Sequence, residues 1–477
     1  MSERKINRFI GIGVLILGAL LRVVVYIQSR NLALDEQSLA LNICERDWTG
    51  LFCCLDYQQH FPPLSLVLIE WWTSLVGISD ISLRFFPFLA GLIALVLFYE
   101  IVSDKLTYSW FPLLILSGSV FVLRYQTEFK QYSLDILASV LFLFFLTRPP
   151  DKWRAYRPAL ILFFLLSFWF SMPAIFLVAA LWMYAFIKKL IPVKSLLFLG
   201  FGIASSFALL YLVNLDESVA SDHLQAYHEQ FFLQFPPGVP GQNFMIFLGF
   251  LGEWMGSTAF TIGAFFLLFF LGLVDRKHCW SVAAILLVFL LTGIASLGHF
   301  YSLIPRLLLF WAPLLLWITA LGFDRTMGFF KVSRIPSAAS WALAFTLFVF
   351  PLNFYRQGWS YLLTDFEVDR PLEVMQQIER KMEPGDVLWV SQYGTRVVQY
   401  YGACTGQSSL HQQKVRYFDH AFSQDSIIQS LEISSEKRIW ILDTHDSEQF
   451  LNHLGQRFTV QEKITAGPSG ALLIEKK

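Results

Sequence analysis

The chain has 477 residues, of which 55% are hydrophobic, 17% aromatic and only 15% charged, against about 25% charged in a soluble domain. Lys and Arg number 36, as do Asp and Glu, so the charge balance gives no footprint for nucleic acid. Five cysteines show no zinc-finger spacing.

A helix needs about 20 apolar residues to cross a bilayer core, and runs of that kind recur along the chain. They are continuously apolar rather than alternating, which argues against a β-barrel. The first run follows the basic SERKINR, with no small-residue cleavage site after it, and reads as an uncleaved helix. About eleven spans are predicted, near residues 9–28, 83–102, 108–123, 131–147, 157–170, 172–187, 195–213, 257–274, 280–297, 303–322 and 337–352. The run PPLSLVLIEWWTSLVG, 62–77, begins with two prolines and carries Glu70. It reads as a re-entrant or interfacial helix.

Charge counting supports that choice. With the N-terminus inside, the outside loops hold only Arg30, Arg46, Arg124 and Lys130. The inside loops collect Arg4, Lys5, Arg8, Lys105, the basic residues of 148–157 and 188–194, and those around 276 and 325–334. Counting 62–77 as a full span would reverse this positive-inside bias. Residues 214–256 contain no Lys or Arg and read as a large outside loop able to cover a site.

After Leu352 the pattern changes. Residues 373–402 read as helix, Pro-Gly turn, strand, helix; KRIWILDTHDSEQFLNHLGQRF reads as strand and capped helix; the last stretch reads as a hairpin. The expected architecture is an all-α polytopic membrane domain, 1–354, with interfacial helices in its first outside loop. A small α/β domain, 355–477, follows outside the membrane. It has no GxGxxG.

The charges collect on one membrane face. Asp35 and Glu36 open the first outside loop, and Asp56 and His60 close it. Arg124, Glu128 and Lys130 lie in the second. Arg84 and Arg306 start spans from the same side. Titratable groups near a bilayer are costly and mark function. Each also has a plain reading. Arg22, Arg84 and Arg306 would snorkel to headgroups. Glu128 and Lys130 would form a solvated pair, Asp35 would cap the helix EQSLALNICE, and His60 would be an ordinary interfacial histidine. An outside loop permits a disulfide among Cys44, Cys53 and Cys54, and equally permits thiols.

Four segments, LALDEQSLALNI, LDYQQHFPPLSLVLIE, ISDISLRFFPFLAGLIALVLFY and RYQTEFKQYSLDIL, resemble the GT-C glycosyltransferases in order and spacing. The similar branch is that of the protein O-mannosyltransferases and the lipid A aminoarabinose transferase. LIPRLLLFWAP resembles the family's late Arg–Pro helix. One departure is that Phe61 stands between His60 and the Pro-Pro pair, where many relatives have His or Lys directly before it.

The resemblance implies transfer of a sugar from a polyprenyl-phosphate donor to a glycan, lipid or protein acceptor on the outer membrane face, with inversion by direct displacement. It implies that the first-loop acid is catalytic. On that basis Asp35 is the candidate base, with Glu36 next and Glu128 holding Lys130 or assisting the acceptor. Lys130, Arg84, Arg306 and His60 are the candidate phosphate ligands; Asp56, Tyr132 and Tyr301 are placed in support. The acids and His60 would also supply ligands for a divalent metal, though no spacing demands one. A lipid-sugar transporter, a non-catalytic subunit of this fold and an oligosaccharide ligase or polymerase are the rival readings.

Overall fold

The computed structural model describes residues 3–215, 222–236, 241–255, 259–332, 354, 356–360, 362, 370–418, 424–444 and 447–475. The helices of the apolar part are α1 (Glu3–Ile27), α2 (Leu34–Glu45), α3 (Pro63–Val76), α4 (Phe85–Lys105), α5 (Trp110–Gly118), α6 (Val120–Gln126), α7 (Tyr132–Thr147), α8 (Arg157–Phe170), α9 (Ala174–Ile187), α10 (Val193–Leu210), α11 (Gln242–Met255), α12 (Ala259–Leu273), α13 (Cys279–Leu297) and α14 (Trp311–Val332). Four helical stretches, Glu3–Ile27, Phe85–Lys105, Val193–Leu215 and Arg276–Leu297, are long and apolar enough to cross a membrane. The chain is an integral membrane protein. The ten predicted spans up to residue 322 all fall on helices or helix pairs. The eleventh, 337–352, lies outside the described residues.

The helix α3 has 14 residues, about 21 Å at 1.5 Å per residue. The helices α8 and α9 have the same 14 residues, so length does not set α3 apart from helices read as spans. The helix α3 starts at the Pro62–Pro63 pair and stops at Gly77, whose φ of +89° a side chain would strain.

The predicted span 108–123 is broken into α5 and α6 at Ser119, which takes an extended backbone. A break in an apolar bundle leaves carbonyls without partners. Arg22 of α1 supplies them. Its guanidinium donates to the carbonyls of Leu116 (3.2 Å), Ser117 (3.2 Å) and Gly18 (3.0 Å) and to the side chain of Gln126 (2.7 Å). Arg22 is 1% exposed, so the snorkelling reading fails for it. The pair α12 and α14 packs at glycines. A Cβ on Gly272 would stand 1.9 Å from the Ile318 carbonyl oxygen, and one on Gly322 1.9 Å from that of Leu268.

The C-terminal part carries the helices α15 (Pro371–Lys381), α16 (Gln392–Val398), α17 (Gln424–Ile433) and α18 (Ser447–Arg457) and five strands. These are β1 (Val387–Ser391), β2 (Val415–Phe418), β3 (Arg438–Asp443), β4 (Thr459–Ala466) and β5 (Ser469–Glu475), in the order β2-β1-β3-β5-β4. β1 lies parallel to β2 and β3, while β5 is antiparallel to β3 and β4. The expected helix–strand alternation and closing hairpin are present. The edge strand β2 is an addition. Arg416 and Tyr417 of VRYF are both exposed, so it lacks the alternation that marks a strand.

This unit is fastened to the first loop. Cys44 of α2 forms a disulfide with Cys404, their Cα atoms 5.9 Å apart. The hydroxyls of Tyr400 and Tyr401 donate to the buried Asp80 carboxylate at 2.9 and 3.2 Å. The Tyr401 oxygen also accepts the Leu32 N–H at 3.0 Å. Cys44 pairs neither with Cys53 nor with Cys54.

Candidate active site

Asp35 and Glu36 are neighbours on the first turn of α2, yet they have opposite environments. The Glu36 side chain is 3% exposed, and that of Asp35 is 50% exposed. Glu36 accepts four N–H groups: Arg84 Nε at 2.9 Å, Arg84 Nη2 at 2.6 Å, Phe129 N at 2.6 Å and Ala33 N at 2.9 Å. A carboxylate has about four lone-pair sites, so none is left for an acceptor proton. Burial alone would raise its pKa, but the Arg84 guanidinium and the N–H donors hold the carboxyl below the usual carboxylate range. Glu36 is therefore a structural anchor and not a reserve base. It ties α2 to the segment before α7.

Arg84 is committed in the same way. Besides Glu36 it donates to the carbonyls of Arg30 (2.5 Å) and Asn31 (3.3 Å). It secures the loop leading to Asp35, and its donors are taken by the Glu36 carboxylate and two backbone carbonyls. Neither the phosphate role nor snorkelling fits this geometry.

The stretch around Lys130 leaves the helical path. Residues 127–130 are irregular, and helix resumes at Tyr132. The side chains pair differently. Glu128 receives Arg124 Nε at 3.0 Å, whereas Lys130 Nζ donates to Gln59 Oε1 at 2.8 Å. So Gln59, not Glu128, orients Lys130, and the two charges do not form a solvated pair. Burial raises the Glu128 pKa, with Glu36 adding to it. Burial lowers that of Lys130; Asp35 opposes the shift and Arg306 adds to it.

Arg306 reaches the same place from the far part of the chain. Its Nη1 lies 3.7 Å from Asp35 Oδ2. Tyr301 supports it, because the Tyr301 hydroxyl donates to the Leu307 carbonyl at 2.8 Å and pins the turn Pro305–Leu308 that carries Arg306. Tyr132 is buried and meets Tyr125 edge-on. It makes no hydrogen bond to a first-loop acid among the described residues. The charges of His228 and Tyr227, from residues 222–228, act on His60 and Arg306. These two residues therefore come near enough to His60 and Arg306 to interact electrostatically.

Two further expectations change. Burial, with His228 second, pushes His60 down to about 4, so its imidazole is neutral near pH 7 in this structure. Asp56 is paired with Arg46 at 2.7 Å and donates its backbone N–H to Asn42 Oδ1 at 2.8 Å, which closes the first loop. With Glu36, Asp56 and Glu128 so engaged, the suggested metal ligands do not assemble. Among the described residues no three His, Cys, Asp or Glu side chains converge.

Sequence reading missed Gln59 and Arg396. Arg396 of the C-terminal unit donates to Ser38 Oγ at 2.7 Å, one turn of α2 beyond Asp35, and lies over the Tyr57 ring at 5.4 Å. No local signal marks an arginine 361 positions after Asp35 as its neighbour.

An apolar cleft of about 510 Å3 opens beside this cluster. It runs among α3, α4, α7 and α8, and its lining includes Leu134, Leu137 and Leu141 of α7, Leu68, Phe86 and Ile93. Leu134 is four residues beyond Lys130.

No family profile matches the chain, and neither does any curated protein. Solved structures do. The crystal structure of ArnT from Cupriavidus metallidurans in the apo state aligns with a TM-score of 0.56 at 14% identity, over 97% of this chain and 98% of that one. The same protein bound to undecaprenyl phosphate aligns at 0.55 and 13%, over 97% of each chain. The chain shares the ArnT fold. The expected GT-C-like architecture, membrane helices followed by a small sheet, extends over almost the whole length of both molecules.

Proposed function

We propose that the protein is a membrane glycosyltransferase that moves a sugar from a polyprenyl-phosphate donor to an acceptor at the end of the bundle covered by the C-terminal unit. One observation carries this reading. Half-exposed Asp35 lies 3.7 Å from Arg306, both act on Lys130, and Leu134, one turn past Lys130, lines an apolar cleft suited to a prenyl chain. The ArnT structure with undecaprenyl phosphate supports the donor class. The Cys44–Cys404 disulfide supports placing this end outside the cytoplasm, where disulfides persist, and the N-terminus inside.

In this reading Lys130 and Arg306 hold the donor phosphate, and Arg84 and Glu36 hold the loop. The acceptor oxygen or nitrogen attacks the anomeric carbon as the carbon–oxygen bond to phosphate breaks. The bonding pair leaves on the phosphate, where both cations stabilise the growing charge in a poorly hydrated site. The acceptor proton passes to Asp35. A single displacement of this kind inverts the anomeric centre. Residues 1–354 form the transferase domain and 355–477 the outer domain.

Undecaprenyl phosphate binding to the purified protein tests the donor class; a wild-type chain that does not bind it removes the reading. Lys130→Ala loses a charge-assisted contact worth roughly 1.5–3 kcal/mol, so affinity is expected to fall about tenfold to a hundredfold. Asp35→Asn is expected to keep lipid affinity and to lower turnover by about a hundredfold or more. Turnover equal to wild type would place the base elsewhere.

A further inference from the structure

The long axis of α4 leads away from Arg84 for 21 residues to Lys105, about 32 Å. At that remote end a second cavity, of about 610 Å3, opens between the start of α1, the ends of α4, α7 and α9, and the start of α13. Its wall holds Arg4, Lys105, Arg148, Lys188 and Lys277, five cations, against the one carboxylate of Asp104. They come from five separate elements, so the fold and not a run of sequence gathers them.

Their internal partners are too few. Asp104 pairs with Lys105 at 2.9 Å and stands 3.9 Å from Arg148, which also pairs with Glu100. Arg4 donates to the Asp104 carbonyl at 2.5 Å. Lys188 rests over the Trp280 ring at 4.4 Å. Among the described residues no carboxylate lies within ion-pair distance of Lys188 or Lys277. Like charges gathered around a cavity repel each other, and a multivalent anion placed among them relieves that repulsion. Trp280, exposed on the cavity wall, lies on the same helix as the exposed Leu286, Leu290 and Ile294 of α13. An anion with acyl chains would fill both surfaces at once.

We propose that this cavity recognises the phosphate headgroup of an anionic phospholipid, on the membrane face opposite the transfer site. Basic residues are common at this face of membrane proteins, so the test must separate a built site from diffuse charge. The full chain in detergent is titrated with phosphatidylglycerol, and with phosphatidylcholine as the zwitterionic control, and bound lipid is counted by native mass spectrometry. The first phosphatidylglycerol should bind about tenfold more tightly than phosphatidylcholine. Lys188→Gln with Lys277→Gln should weaken it about tenfold in protein whose thermal unfolding remains a single cooperative transition, since neither lysine has a carboxylate partner among the described residues. The double Arg variant of the same positions should retain binding. Lys194→Gln, which removes an exposed charge outside the cavity wall, should have no effect. Equal weakening by Lys194→Gln, or no weakening by the double Gln variant, overturns the site. Displacement of phosphatidylglycerol by millimolar inorganic phosphate overturns the lipid assignment in favour of a soluble phosphate.

Discussion

Two adjacent acids, Asp35 and Glu36, show how little residue type alone decides. Glu36 is enclosed by four N–H donors, while Asp35 faces Arg306 across 3.7 Å at the surface of the same helical turn. Glu36→Gln leaves the Arg84 guanidinium buried and uncompensated, and breaking a buried pair from one side costs about 3–5 kcal/mol. A lower thermal midpoint for Glu36→Gln than for Asp35→Asn is the expected result. The pH dependence has a definite sign. The Glu36 carboxyl is held below its ordinary range, so its contribution is complete above the unfolded carboxylate pKa. It is lost as pH falls through the lower folded value. Acid titration of stability should show this loss in wild type and not in Glu36→Gln.

The helical bundle depends on two local devices, a guanidinium at a helix break and glycines at a crossing. The α5–α6 break is stabilised by Arg22, which also holds Gln126 just before the irregular stretch that carries Lys130. Arg22→Met keeps the apolar length but frees several carbonyls in a bundle without water. Loss of folded protein on size-exclusion chromatography is expected, with Arg22→Lys intermediate because its single ammonium cannot span all of these acceptors. The α12–α14 crossing depends on absent side chains. Gly322→Val forces the two backbones apart and should cost at least about 1–3 kcal/mol, read as a drop in thermal midpoint. Gly13→Ala meets nothing within 4 Å and should be neutral or slightly stabilising.

The C-terminal unit is fastened to the first loop. Its disulfide and the Tyr400–Asp80–Tyr401 cluster fix α2 from outside the bundle, and Arg396 is brought to within a turn of Asp35. Tyr401→Phe removes a donor to Asp80 and the acceptor of the Leu32 N–H, at about 1–3 kcal/mol for buried groups left unpaired. It should therefore loosen the loop before α2. Faster hydrogen exchange in residues 30–36, with protection of α13 unchanged, is the expected signature; equal exchange would show that the unit does not hold the loop.

Hydropathy and short motifs were enough to place most helices and the strand–helix alternation after residue 386. These are local properties: apolar run length, proline position and charge sign act within a turn or a span of the chain. The division of labour among the charges was not legible. Which acid is saturated, which lysine is held by Gln59, and which cysteine Cys44 finds 360 residues away depend on contacts between distant segments. Burial and neighbouring donors then set the free energy of each charge. Two carboxylates side by side in sequence are chemically alike until the fold encloses one in N–H groups and leaves the other half exposed beside Arg306.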